Sequence, residues 1–381
     1  MQKTHFHSID ALRFFAFLKV YLLHVPIQGD FPVFAFLKSG GGIGVSFFFV
    51  LSGFLITYLL VLEKSSENYI NLKKFFVRRA LRIWPLFFLM VLIAFLLPFD
   101  FKQAIGFHMV GGGYDFDWRY SFTFLENYKM LMADNFPKTT PLPVFWSLCI
   151  EEHFYLLWMI CMFFLPVKHI FKFLISCFFI SWIARFAEPF IFHNTMIHTN
   201  DLFTNLDCFA GGGILGYAMV LHKEKFTSFV MHIRNEIKWA VVAVVVLVVI
   251  FQKTLLPNDA GTTMALFRPT IIAMLFAALI AVFLPENSGV QIKSKLLSYL
   301  GVRSYGLYVY HIIVIHVSFQ YCLDHGIAIN NGFILSAYIL FTLGVSVLLS
   351  SLSYKYFEMP FLKFRNSMFL NKLLASKSPK P

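Results

Sequence analysis

Asp10-Ala11-Leu12-Arg13-Phe14-Phe15-Ala16-Phe17-Leu18-Lys19-Val20-Tyr21-Leu22-Leu23-His24 is apolar enough to enter a bilayer, yet it carries Asp10, Arg13 and His24. Insertion scales put an Asp or Arg at the centre of a membrane helix at roughly 2.5–3.5 kcal/mol, so such groups need a reason to be there. Wound as a helix at 100° per residue, Arg13 and His24 lie within about 20° of one face, and Asp10 precedes Arg13 by three residues on the same side. A rise of about 1.5 Å per residue separates Arg13 from His24 by roughly 16 Å, so the stripe leads from one membrane surface to or past the bilayer centre. That geometry suits chemistry between two substrates arriving from opposite sides. The competing reading is a short span whose end residues snorkel to the interfaces.

The rest of the chain agrees with a membrane setting. In 381 residues, 58% are hydrophobic and only 14% charged, and the mean hydropathy of +0.70 excludes a soluble globule. The 49 phenylalanines read as lipid-facing or core-filling rings. The net charge of +12 does not indicate nucleic acid, because the basic residues lie mainly in short loops between apolar segments, where orientation signals belong. Five cysteines, at positions 149, 161, 177, 208 and 322, have no short paired spacing, so neither a metal site nor a disulfide framework is expected. The first apolar run lacks a small-residue cleavage site and is read as a span rather than a signal peptide.

About ten spans are expected, near 10–27, 41–62, 83–99, 144–165, 169–187, 205–222, 238–253, 262–284, 300–321 and 332–357. The fold class is therefore all-α, a polytopic transmembrane helical bundle. The connection from Glu63 to Arg82 holds Lys64, Lys73, Lys74, Arg78, Arg79 and Arg82 against Glu63 and Glu67, which places it in the cytoplasm. Alternation then puts Lys168, Lys172, Lys223, Lys225, Arg234, Lys238, Lys293 and Lys295 on the same side, with both termini. Residues 8–362 are read as one membrane domain and 363–381 as a basic cytoplasmic tail with Lys363, Arg365, Lys372, Lys377 and Lys380. The longest connection, from about Asp100 to Pro143, faces outward and is either a lid over the acceptor side or disordered.

Three further stretches bear chemistry. In Phe75-Phe76-Val77-Arg78-Arg79-Ala80-Leu81-Arg82-Ile83-Trp84-Pro85, Pro85 is expected in the first turn of the third span. Arg79 and Arg82, at i and i+3 with Arg78 adjacent, form either a polyphosphate cradle or an ordinary positive-inside flank. In Phe145-Trp146-Ser147-Leu148-Cys149-Ile150-Glu151-Glu152-His153, adjacent carboxylates point about 100° apart, so Glu151 and Glu152 each need a partner. One suits the His24 imidazole and the other an arginine such as Arg13; the alternative is an interfacial pair exposed to headgroups. Ser304, Tyr308 and His311 share a stripe in the ninth span, where His311 is either a cavity residue or a hydrogen-bonded structural histidine. Asp207 opens another span, and the glycines after it suit close helix packing, since no strand or P-loop lysine accompanies them.

Taken together, Ile9-Asp10-Ala11-Leu12-Arg13 with His24, the run from Gly44 to Thr57, Arg78-Arg79-Ala80-Leu81-Arg82, Trp146-Ser147 with Glu151-Glu152 and Phe154-Tyr155, Ser304-Tyr305 with Leu307-Tyr308 and His311, and Ser353-Tyr354 with Phe357-Glu358-Met359-Pro360-Phe361 closely resemble the membrane acyltransferase 3 family over about residues 8–362. The resemblance implies an integral membrane O-acyltransferase that moves acetyl, or another short acyl group, from cytoplasmic acetyl-CoA or other acyl-CoA to a hydroxyl on a surface saccharide or glycolipid. It associates Arg13 and His24 with catalysis and Arg78, Arg79 and Arg82 with the CoA; Asp10, Glu151 and Glu152 join the catalytic candidates from the reading of the residues themselves. Trp146, Ser304, Tyr308 and His311 are then candidate substrate contacts, no metal is expected, and the bacterial cytoplasmic membrane is the expected location. Phe14, where relatives commonly have a small residue, and His153, in place of a frequent glutamine, are departures that bear on the cavity. Some relatives carry a fused hydrolase-like domain; none is read here, so a second transfer step is expected to need a partner protein. The rival class is a transporter or flippase, in which the stripe is a translocation path. A weaker third reading is a catalytically silent subunit of a polysaccharide export machine.

Overall fold

A computed structural model describes residues 7–107, 113–115, 117–138, 140, 142–192, 200–257, 262–365, 367 and 370. Most of the basic tail, with Lys372, Lys377 and Lys380, lies outside them. Among the described residues, ten long helices form the bundle: α1 His7–His24, α2 Ile43–Glu67, α3 Leu72–Leu96, α4 Trp146–Phe164, α5 Val167–Phe192, α6 Leu206–Leu221, α7 Asn235–Leu255, α8 Thr263–Phe283, α9 Ser304–Asp324 and α10 Gly332–Ser353. Among the described residues the only β pairing is an isolated bridge between Tyr114 and Pro137. Eight of the ten helices are long and apolar enough to cross a membrane. The other two are α1, interrupted by Asp10, Arg13 and Lys19, and α6, which has 16 residues. The chain is a multi-pass membrane protein.

The third span departs from expectation. The Asn71 side chain accepts the backbone N–H of Lys74 and caps α3 at Leu72, so the supposed loop up to Arg82 shrinks to a short turn after Glu67. Pro85 consequently lies inside α3, not in its first turn, where it removes one i→i−4 hydrogen bond. Arg78, Arg79 and Arg82 therefore belong to the second and third turns of a helix. None of them stands at a helix end, and Arg79 and Arg82 project sideways into the bundle.

The centre of the bundle is the contact of α2 with α6, which α5 and α8 flank. A Cβ on Gly53 would come within 1.9 Å of the Phe209 carbonyl oxygen, and one on Gly212 within 1.7 Å of that of Val50. Only glycine allows these two helices to approach so closely, the small-residue packing typical of membrane interiors. Asp207, at the start of α6, forms a fully buried ion pair with Arg185 of α5 at 2.5 Å. Arg185 also donates to the carbonyls of Thr204 and Leu266, and the Thr270 hydroxyl donates to Asp207. This polar group is satisfied internally and ties α5, α6 and α8 together; it is architecture rather than a site.

On the other side of α2 stand α1, α3, α4 and α9. The start of α1 packs against a short helix, Lys295–Val302, and α9 follows directly after that helix. One end of the bundle is marked by Lys64, whose ammonium donates to the carbonyls of Met162, Phe163 and Leu165 at the close of α4. This basic end also holds the α2–α3 turn and the start of α1.

Candidate active site

Five helices, α1, α2, α3, α4 and α9, surround a cavity of about 90 Å³. Its polar lining consists of Arg13, Ser52, Arg79, Arg82, Ser147, Glu151, Tyr155, Ser304, Tyr305 and Tyr308. Three guanidinium groups thus face a single lining carboxylate. That carboxylate is already engaged: Glu151 accepts from the Tyr155 hydroxyl at 2.9 Å and from Ser52 at 3.3 Å. Arg13 reaches Asp10 only at 3.8 Å, and its Nε is buried without a hydrogen-bond partner. Arg79 lies over the rings of Phe75 and Tyr155, 5.6 and 5.8 Å from their centroids. A low-dielectric pocket with this surplus of positive charge favours an anion with several oxygens.

Above the cavity, away from the basic end, the polar path continues by hydrogen bonds. The Tyr308 hydroxyl meets Ser147 at 2.6 Å and donates to the Val144 carbonyl at 2.8 Å, so α9 and α4 are joined there. One turn further along α9, His311 is fully buried. Its Nδ1 lies 2.6 Å from the Tyr308 carbonyl, and its Nε2 lies 3.2 Å from Nδ1 of His24. A carbonyl only accepts, so Nδ1 of His311 carries the proton and its Nε2 presents a lone pair. Nδ1–H of His24 then points at that lone pair and at the Val20 carbonyl, 3.0 Å away. This assignment leaves Nε2 of His24 unprotonated, the form a general base or nucleophile requires.

The structure thus sorts the sequence candidates into two tiers. Arg13, Arg79, Arg82, Glu151, Ser304 and Tyr308 line the cavity; His24 does not, and connects to it through His311 and Tyr308. Arg78 lies on α3 outside the lining, and Trp146 packs partly buried against the core. Asp10, at the base of α1, receives the Ser298 hydroxyl at 3.4 Å. Glu152 accepts from the indole N–H of Trp84 at 3.1 Å. The partner of the His24 imidazole is therefore a second histidine and not a glutamate of α4, because those carboxylates sit at cavity level. His153, the departure from the family pattern, stacks on Tyr128 with centroids 5.4 Å apart and does not enter the lining.

Sequence reasoning missed Ser52, Trp84 and Tyr155 as partners of the glutamates. Tyr155 stands at i+4 from Glu151, a spacing that brings side chains together on a helix. Ser52 and Trp84 come from other helices, and only the fold brings them in.

The described residues form a polytopic bundle that holds a cation-lined cavity and, hydrogen-bonded to its wall, a pair of histidines; the sequence comparison supplies the class. The chain belongs to the acyltransferase domain family, whose pattern it matches over residues 6–351. A stretch of 156 residues is 35% identical to the peptidoglycan O-acetyltransferase OatA of Listeria monocytogenes, covering 40% of this chain and 23% of that protein. The Bacillus subtilis protein YrhL, provisionally named a peptidoglycan O-acetyltransferase, is 26% identical over 99% of this chain and 59% of its own length. A Staphylococcus aureus (strain COL) protein, provisionally named an O-acetyltransferase, is 26% identical over 93% of this chain and 57% of its own. The chain thus spans little more than half the length of the two relatives that match it end to end. No solved structure matches it.

Proposed function

We propose that this protein is a membrane O-acetyltransferase of the bacterial cytoplasmic membrane, taking acetyl or another short acyl group from cytoplasmic acyl-CoA and delivering it to a hydroxyl of an extracytoplasmic saccharide. The observation that carries this reading is a two-tier arrangement: an arginine cavity toward the basic end, and beyond it, along the same two helices, α1 and α9, a histidine pair joined to the cavity wall by hydrogen bonds through Tyr308. The basic end is the cytoplasmic one by the positive-inside rule. The relatives' names make a peptidoglycan sugar the first acceptor to try.

In this scheme the phosphates of the donor sit among Arg13, Arg79 and Arg82, with the pantetheine arm directed toward His24. The rise from Arg13 to His24 along α1 is roughly 16 Å, a distance suited to that arm. His24 Nε2 takes the proton of the acceptor hydroxyl as its oxygen attacks the thioester carbonyl. The C–S bond breaks, an ester C–O bond forms, and the proton passes to the departing thiolate. An acyl group carried transiently on the same nitrogen gives the same balance, and either route needs Nε2 unprotonated.

The test uses purified protein in nanodiscs, with acetyl-CoA and peptidoglycan fragments, following free thiol and the mass of the saccharide. Thiol release coupled to a gain of one acetyl group supports the reading. Movement of saccharide across vesicles without thiol release overturns it in favour of a transporter.

A further inference from the structure

A second cavity, of about 290 Å³, lies between α1, α2, α7 and α8 and shares no lining residue with the arginine cavity. Trp239 near the start of α7 and Ile250 near its end both line it, so the slot extends roughly 16 Å along that helix. Phe15, Phe47 and Val245 add to a wall that is apolar over almost all its length. α7 itself packs on α8 at the rim of the bundle, with Val244, Val246 and Leu247 exposed. Water finds too few polar partners in such a slot, whereas a hydrocarbon chain buries its surface there. Among the described residues Lys19 is the one charged side chain in the lining. It stands on the outward half of α1, half-buried, and its ammonium donates to the carbonyls of Leu37 and Ser39 at 2.5 and 3.0 Å. Those residues flank Lys38, at the end of the short helix Pro32–Lys38. Lys38 in turn donates to the carbonyl of Val25, the residue after His24, at 2.6 Å. Among the described residues neither ammonium has a carboxylate in ion-pair range; Asp30, in the same connection, is exposed and pairs with neither. Carbonyl partners leave both charges uncompensated, and on the outward side of the membrane the positive-inside rule gives them no role.

We propose that this slot holds the hydrocarbon chain of a lipid-phosphate-linked saccharide, with its phosphate on Lys19 and Lys38 and its sugar hydroxyl at His24. The inference rests on the function and orientation proposed above and deepens them by naming the form in which the acceptor arrives. The order of the features carries it. Outward from the slot come Lys19, then Lys38, then the end of α1 at His24, and such a molecule reads in the same order: chain, phosphate, sugar. A lysine ammonium binds phosphate as a point charge, and two of them complement one phosphodiester or diphosphate link. The chain keeps the acceptor in the plane of the membrane, so the sugar reaches the imidazole by lateral diffusion within the bilayer.

Two acceptors test this on the whole protein in phosphatidylcholine nanodiscs: N-acetylglucosamine linked through phosphate to a geranylgeranyl chain, and water-soluble peptidoglycan fragments. Val242 lines the slot, and Val242→Trp fills it. For Val242→Trp and for Lys19→Gln, kcat/KM with the lipid-linked sugar should fall by about tenfold or more, and much further than with the soluble fragments. Lys19→Arg, which keeps the charge, should recover part of the loss. Equal losses on the two acceptors, or no loss on either, overturn the proposal and leave the transferase standing. Labelling by a photoreactive geranylgeranyl phosphate gives a readout independent of turnover. The label should fall on α1 and α7, weaken in both variants and persist in excess phosphatidylglycerol. That result supports the site even if no acetyl-CoA is consumed, an outcome that sinks only the transferase reading. Labelling away from the slot, or displacement by an equal amount of phosphatidylglycerol, overturns the proposal in favour of an ordinary phospholipid.

Discussion

Nδ1 of His24 and Nε2 of His311 lie 3.2 Å apart, and the Tyr308 carbonyl fixes which of the two rings donates. A pair of imidazoles, His311 fully buried and His24 half-buried, with a defined hydrogen-bond direction holds the outer ring in the tautomer that exposes Nε2.

His311→Leu removes the acceptor and releases the His24 tautomer. We expect kcat to fall by about tenfold or more with KM for acetyl-CoA nearly constant, the pattern of a group that orients a base. His311→Gln offers a carbonyl oxygen as acceptor and should recover part of the loss. A rise in KM with kcat intact would instead make His311 a substrate contact.

Arg79→Ala and Arg82→Ala should each raise KM for acetyl-CoA about ten- to a hundredfold, as expected from loss of a charge-assisted hydrogen bond. Higher ionic strength should weaken donor binding in the wild type and have less effect in the double variant. Titration calorimetry with CoA at two salt concentrations checks both points.

Asp207→Asn leaves Arg185 charged and without its carboxylate in a fully buried setting. Removing one partner of such a pair costs about 3–5 kcal/mol. The melting temperature in detergent should therefore drop, while the fraction that remains folded keeps its donor affinity. Loss of donor affinity at full stability would assign the pair to the site.

Glu126, in the short helix Glu126–Ala133 of the connection between α3 and α4, is 1% exposed and accepts from Tyr114 at 2.5 Å and Ser121 at 2.6 Å. Burial raises its pKa above the ordinary carboxylate value. The folded connection thus binds its proton more tightly than the unfolded one. Its stability contribution is fully present below the ordinary carboxylate range and is lost as pH rises through the raised value. Proteolysis of this connection should accelerate over that window, and Glu126→Gln should flatten the dependence.

The ten helices were legible because apolar runs of that length have few other solutions. The depth of the arginines was not. A cluster of six basic residues reads as a loop by charge, and the Asn71 cap that carries the helix through them is a weak local signal against it. Arg13 and His24 share the helix His7–His24, as the apolar run implies, but a helical wheel gives direction without partners. That His24 meets His311 depends on how α9 packs against α1. The glycines after Asp207 were readable for a simple reason: at such spacing in an apolar run, close packing is what glycine does.

The most direct test of the central claim is single-turnover acetyl transfer by purified His24→Ala protein, with folding checked by melting temperature and CoA binding. We predict normal donor affinity with transfer reduced by about a hundredfold or more, the cost of losing a general base or nucleophile. Transfer at the wild-type rate would contradict the account.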